Sequence, residues 1–155
     1  MPIDFSRKSA RAIAYASGII EKHNGKIILL HVVEFIHYVH DFGYGPVRRH
    51  RTNDPAIRRA ELRLRALGRR HFAASQAWAA VVRSGVICDE IAKTALELNV
   101  EIIVMSTHGL MPVEQVNPEN MAARVIRRAS CPVLTIRNPP GARSNARNQA
   151  RNRVK

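Results

Sequence analysis

The stretch KIILLHVVE, from Lys26 to Glu34, is a near-continuous apolar run of strand length. A strand with one wet face alternates apolar and polar side chains. A run without that alternation suits a strand buried on both faces, as in a parallel sheet covered by helices. The flanks support this. Upstream, Ser6 or Ser9 can cap a helix whose apolar stripe is Ala10, Ile13, Ala14, Ser17 and Ile20, closing near Gly25. Downstream, residues 35–53 carry Gly43, Gly45 and Pro46 and read as a long excursion loop.

The alternation continues to the end of the body. A second helix starts near Asp54, with Ile57, Ala60, Leu64 and Leu67 inward and most of its arginines outward. Trp78 to Val82 reads as a short strand ending at Gly85. A third helix places Ile87, Ile91, Ala95 and Leu98 on one face, with Asp89 and Glu90 at its positive end. EIIVMST, from Glu101 to Thr107, is another apolar strand. Asn117-Pro118-Glu119 is a strong helix start, and that helix carries Met121, Ala122, Val125, Ile126 and Ala129. PVLTIR, from Pro132 to Arg137, is the last strand. Strands alternating with helices predict an α/β domain with a mostly parallel open sheet and helices on both faces.

Composition bounds the function. With 155 residues, 46% hydrophobic, the chain is long enough for one domain with its own core. No apolar run approaches a membrane span, and MPIDFSRKSAR lacks the apolar stretch of a signal peptide, so a cytoplasmic location is expected. Cys88 and Cys131 fit no ligand or redox spacing and read as free thiols.

The net charge of +13 is concentrated in two segments. From Val47 to Phe72, nine arginines face only Asp54 and Glu61, a local excess of +7. From Asn138 to Lys155 there are four arginines and one lysine with no acid, +5. The domain is expected over residues 1–137, and 138–155 reads as a disordered basic tail. By charge alone, Arg48 to Arg70 and the tail suit a weak contact with nucleic acid or an acidic surface. No aromatic residues are interleaved there for base stacking, and the plainer reading is a solvated face.

Other constellations are weak. His37, His40 and Asp41 carry ligand-type side chains but have no matching partners, so no metal is expected. Ser106 and His108 lie two apart with no acid to orient either, so no catalytic residue is assigned.

PIDFSRKSARAIAYA, IILLHVVE, the RSG turn with its following helix, EIIVMSTHG and AARVIRRASCPVLTIR together resemble the universal stress protein family. The resemblance runs from about Pro2 to Arg137. It implies a five-stranded, mostly parallel sheet and a homodimer through Pro132–Ile136, acting in stress response by contact with an unidentified protein partner.

Two departures from the family pattern bear on function. The family's first, central strand extends several apolar residues before Pro-x-Asp, whereas here Met1 directly precedes Pro2. A shortened first strand, Met1 to Asp4, or a start assigned too far downstream is therefore expected. The family's ATP-binding members carry G-x2-G-x9-G-[S/T], and Ser106, Gly109, Glu119 and Asn120 occupy those four positions. Glycines there let backbone N–H groups approach phosphates. Glu119 instead sets a carboxylate beside the polyphosphate, at a cost of about 1–4 kcal/mol. At the adenine end, Asp4, Val32 and Met105 match family positions, although Val32 and Met105 also suit plain core roles. The implied function is a non-catalytic module that does not bind ATP. An ATP- or AMP-binding switch of the same fold is the alternative, and a nucleic-acid-associating basic protein is a second.

Overall fold

The computed structural model describes residues 1–23, 25–34, 54–73, 76–106 and 121–136. The excursion loop with His37, His40 and Asp41, the residues Gly109, Glu119 and Asn120, and the basic tail lie outside the described residues. The elements are α1 (Arg7–His23), β1 (Ile27–Glu34), α2 (Pro55–His71), β2 (Trp78–Gly85), α3 (Ile87–Glu97), β3 (Ile103–Ser106), α4 (Met121–Ile126) and β4 (Val133–Ile136).

Local chemistry sets the helix ends. Ser6 caps α1, its Oγ accepting from the Ser9 N–H at 3.1 Å. The Asp54 carboxylate caps α2, accepting from the Ala56 N–H at 2.7 Å, and Pro55 opens the first turn. Asp89 and Glu90 lie in the first turn of α3. Asp89 also pairs with Arg128 at 2.8 Å, tying α3 to the end of α4. Gly68 of α2 lies against the Trp78 ring so closely that a Cβ would overlap the indole.

The strands are parallel throughout, and they form two ladders rather than the five-stranded sheet expected from the sequence. β1 pairs with β2 and β3 pairs with β4, each as a two-stranded sheet. Both occupy one layer, because their residues alternate between the same two cores. Leu29 and Val104 enter the core with Ile13 and Ala16 of α1 and Leu64 of α2. Leu30, Ile103 and Met105 enter the other, with Cys88, Ile91 and Ala95 of α3 and Met121, Ala122 and Val125 of α4. The helices therefore cover both faces, and the α/β class holds.

The difference lies in the middle of the layer. Pro2 bridges to Leu30, the Ile3 N–H donates to the Leu30 carbonyl at 2.7 Å, and the Leu30 N–H donates to the Met1 carbonyl at 2.9 Å. The segment thus runs parallel to β1. Among the described residues no bridge joins it to β3. Three residues reach only about 10 Å at full extension, too short to line both neighbours along their length. On the amino-terminal side of the segment a cavity of about 550 Å³ remains, lined by Met1, Ile20, Ile27, Ile28, Ile102 and Val104 among others.

Candidate functional site

In open α/β sheets, ligands bind outside the carboxyl ends of the strands, so the expected site residues are best judged from that edge. Asp4 ends the first segment, Val32 lies in the last half of β1, and Met105 and Ser106 are the last two residues of β3. Met105 is only 1% exposed and packs in one core cluster to which Val32 is also joined. These two are therefore brought together, as core. Ser106 is half-buried.

Asp4 carries the sharper signal. Its Oδ1 accepts from the Ser6 N–H at 2.9 Å, completing the turn into α1. Its Oδ2 is buried and has no hydrogen-bond partner among the described residues, and the same holds for the Ser84 hydroxyl near the end of β2. Buried polar atoms are nearly always paired, so an orphan at a strand's carboxyl end fits a polar ligand edge better than it fits core. The cavity of about 550 Å³ lies at the opposite, amino-terminal end of the strands and is not this site.

Around Asp4 the structure assembles groups the sequence reading did not single out. The His31 Nδ1–H donates to the Ile3 carbonyl oxygen at 2.7 Å. The His31 ring lies 4.5 Å from the Phe5 ring, and the Arg63 guanidinium sits 4.0 Å above Phe5. Phe5 has φ 60, a left-handed backbone that aromatic residues seldom adopt. Burial lowers the His31 pKa from its ordinary 6.5, a shift opposed by the bond to Ile3, reinforced by Arg63 and opposed again by Asp4. The one available signal was His31 itself, a polar ring inside an otherwise apolar strand. Nothing in the sequence marks Phe5 or the distant Arg63 as its neighbours.

Among the described residues no group of three or more His, Cys, Asp or Glu side chains is placed to hold a metal. None of their helices is long and apolar enough to cross a membrane. Cys88 is buried, Cys131 is half-buried, and both are free thiols.

Comparison with known proteins agrees with this architecture. The chain is 28% identical over 136 residues to Universal stress protein Sll1654 of Synechocystis sp., covering 87% of this chain and 82% of that protein. A shorter match, 38% identical over 55 residues, is to Universal stress protein MJ0531 of Methanocaldococcus jannaschii, covering 36% and 32%. Among solved structures, a universal stress protein in complex with cAMP superposes with a TM-score of 0.64 at 21% identity, covering 88% of this chain and 93% of that one. The universal stress protein from Archaeoglobus fulgidus in complex with dAMP superposes at 0.57 and 16% identity, covering 87% and 93%. The sequence profile of the universal stress protein family matches residues 1–137, and the chain belongs to that family.

Proposed function

We propose that this chain is a non-catalytic, cytoplasmic stress-response module. It works by self-association along β4 and by contact with a protein partner, and it does not take up ATP. The observation that carries the reading is the outer edge of β4. The Ile103 N–H donates to the Pro132 carbonyl at 2.9 Å. By strand alternation, Pro132, Leu134 and Ile136 direct their backbone groups at β3, while Val133 and Thr135 direct theirs away from it. Leu134 is 38% exposed on this strand and Ile126, on the preceding helix, is 52% exposed. Among the described residues no strand pairs with this edge, and such an edge beside exposed apolar side chains is a template for a second strand. In a two-fold dimer that strand would be the same one. Light scattering with size-exclusion chromatography tests this: a dimer supports the reading, and a monomer at all concentrations refutes it.

The argument against ATP is chemical. Glu119 occupies a position where nucleotide-binding relatives use glycine, so its carboxylate opposes a triphosphate. A second reading, an adenine-nucleotide switch of the same fold, is favoured by the orphaned Asp4 Oδ2 and Ser84 hydroxyl. Two relatives were solved with cAMP and dAMP, each with a single phosphate. A thermal-shift series with AMP, cAMP and ATP-Mg separates the readings. No shift with any of them supports the first. A saturable shift with AMP or cAMP alone supports the second, and a shift with ATP-Mg overturns the exclusion of triphosphate.

A further inference from the structure

Helix α2 is the most highly charged element of the described fold. Between Pro55 and His71 it holds six arginines and a single acid, Glu61. Successive residues advance about 100° around the axis, which sorts the arginines into two rows. Arg58, Arg65 and Arg69 form one, and Arg59, Arg63 and Arg70 form the other. Each row runs about 16 Å along the helix. Leu62 lies between them and is 68% exposed. The opposite side of the helix is fixed: Ala60, Leu64 and Gly68 are buried, and Gly68 is pressed against Trp78.

Among the described residues, one of the six guanidinium groups has a specific contact, Arg63 over the Phe5 ring. Arg58, Arg59, Arg65, Arg69 and Arg70 are exposed, and among the described residues none is in an ion pair. Arg59 with Arg63, and Arg65 with Arg69, stand four residues apart, where like charges repel. The fold thus holds a self-repelling face rigid and turned outward. Such a face gains from a counter-charge supplied by another molecule.

Leu62 decides what kind of molecule. Phosphate backbones offer an exposed leucine nothing, and the face has no aromatic ring on which a base could stack. Guanidinium groups pair bidentately with carboxylates, and an apolar residue inside a charged rim is the usual plan of a protein interface. We propose that the outer face of α2 docks an acidic polypeptide segment. In it, Leu62 enters an apolar recess of the partner, and the two arginine rows clamp carboxylates on either side. The occupant differs from the copy engaged at β4, so this contact stands or falls separately from self-association.

Fluorescence anisotropy with the full chain tests it, using three labelled probes at equal ionic strength. They are a helical peptide of about 20 residues with Glu and Asp flanking a leucine stripe, poly-glutamate, and a DNA duplex of about 20 base pairs. The peptide is expected to bind most tightly and to weaken with salt. Leu62→Ala should weaken it about five- to tenfold, and Arg58→Glu with Arg65→Glu more than tenfold. Arg147→Glu with Arg151→Glu in the tail should change it less than twofold. These positions on α2 are exposed, so circular dichroism should show every variant folded. The proposal is overturned if the duplex binds more tightly than the peptide. It is equally overturned if Leu62→Ala binds like the parent, if reversing the tail charges abolishes binding, or if the peptide shows no saturable binding.

Discussion

His31 donates its Nδ1 proton to the carbonyl oxygen of Ile3 at 2.7 Å, so a side chain of β1 reinforces the backbone bonds that hold the first segment in place. The bond needs only one ring proton, and burial disfavours a second. In the unfolded chain the ring takes up that second proton near its ordinary pKa of 6.5, whereas the native ring resists it. Between the two values the unfolded state binds more protons, so the His31 contribution to stability is full above pH 6.5 and is lost as the pH drops through and below it. The buried Met1 amine, lowered from 8.0 to about 5, adds a fall of the same sign that starts near pH 8. Urea midpoints measured from pH 7.5 to pH 5 should show this fall. His31→Gln keeps a donor and cannot titrate, so it should make the fall shallower and leave the part due to the Met1 amine; an equal fall in the variant would refute the assignment.

Gly68→Ala should destabilise the fold. Alanine improves helix propensity by about 1 kcal/mol, but its Cβ meets the rigid indole of Trp78, itself stacked near Phe72 with ring centroids 6.1 Å apart. Overpacking of this kind costs about 1–3 kcal/mol and outweighs the propensity gain. Chemical denaturation should show a net loss, and a gain would mean that the ring moves freely.

Thr135→Pro tests the outer edge of β4. The Thr135 N–H faces away from β3, so proline there removes no ladder bond within the chain. Light scattering should show the dimer lost while the melting temperature of the monomer stays close to that of the parent. A dimer that survives would place self-association elsewhere.

On the proposed reading, in which Glu119 opposes a triphosphate, Glu119→Gly should introduce ATP binding. Removing the carboxylate and restoring a glycine at the third motif position should yield a saturable ATP-Mg stabilisation, about 2.7 kcal/mol at a hundredfold excess over Kd. If the variant responds no more than the parent, Glu119 is not what excludes the triphosphate.

Ala16→Met probes the cavity between the ladders. Ala16 lines it from α1 and is 4% exposed, and methionine is flexible enough to extend into an irregular space. Cavity filling of this kind gains about 0.5–2 kcal/mol, read as a higher urea midpoint. A lower midpoint would show the cavity too narrow for a side chain.

Much of this fold is legible in the sequence because its cues are local. The near-continuous apolar run at Ile27–Val33, the Ser6 and Asp54 caps and the helical stripes of α2 and α3 each act within a few residues. The split of the sheet was not read, because it depends on whether Met1–Ile3 can satisfy two neighbours at once, a property of three dimensions. Asp4 and Met105 are singled out in the sequence only by their match to family positions, and Met105 lies in the core. The stack of Arg63, Phe5 and His31 joins residues more than twenty positions apart and leaves no periodic trace.

The cavity beside Met1 also bears on how the molecule yields under stress. Each pair of strands is stitched internally by its own ladder, whereas the two pairs cohere through side-chain packing from α1, α3 and α4. Packing without backbone stitching is a seam. Heat or denaturant should part the chain there first, exposing the inner margin of β3 and the first segment bonded along β1 while each two-stranded unit is still intact.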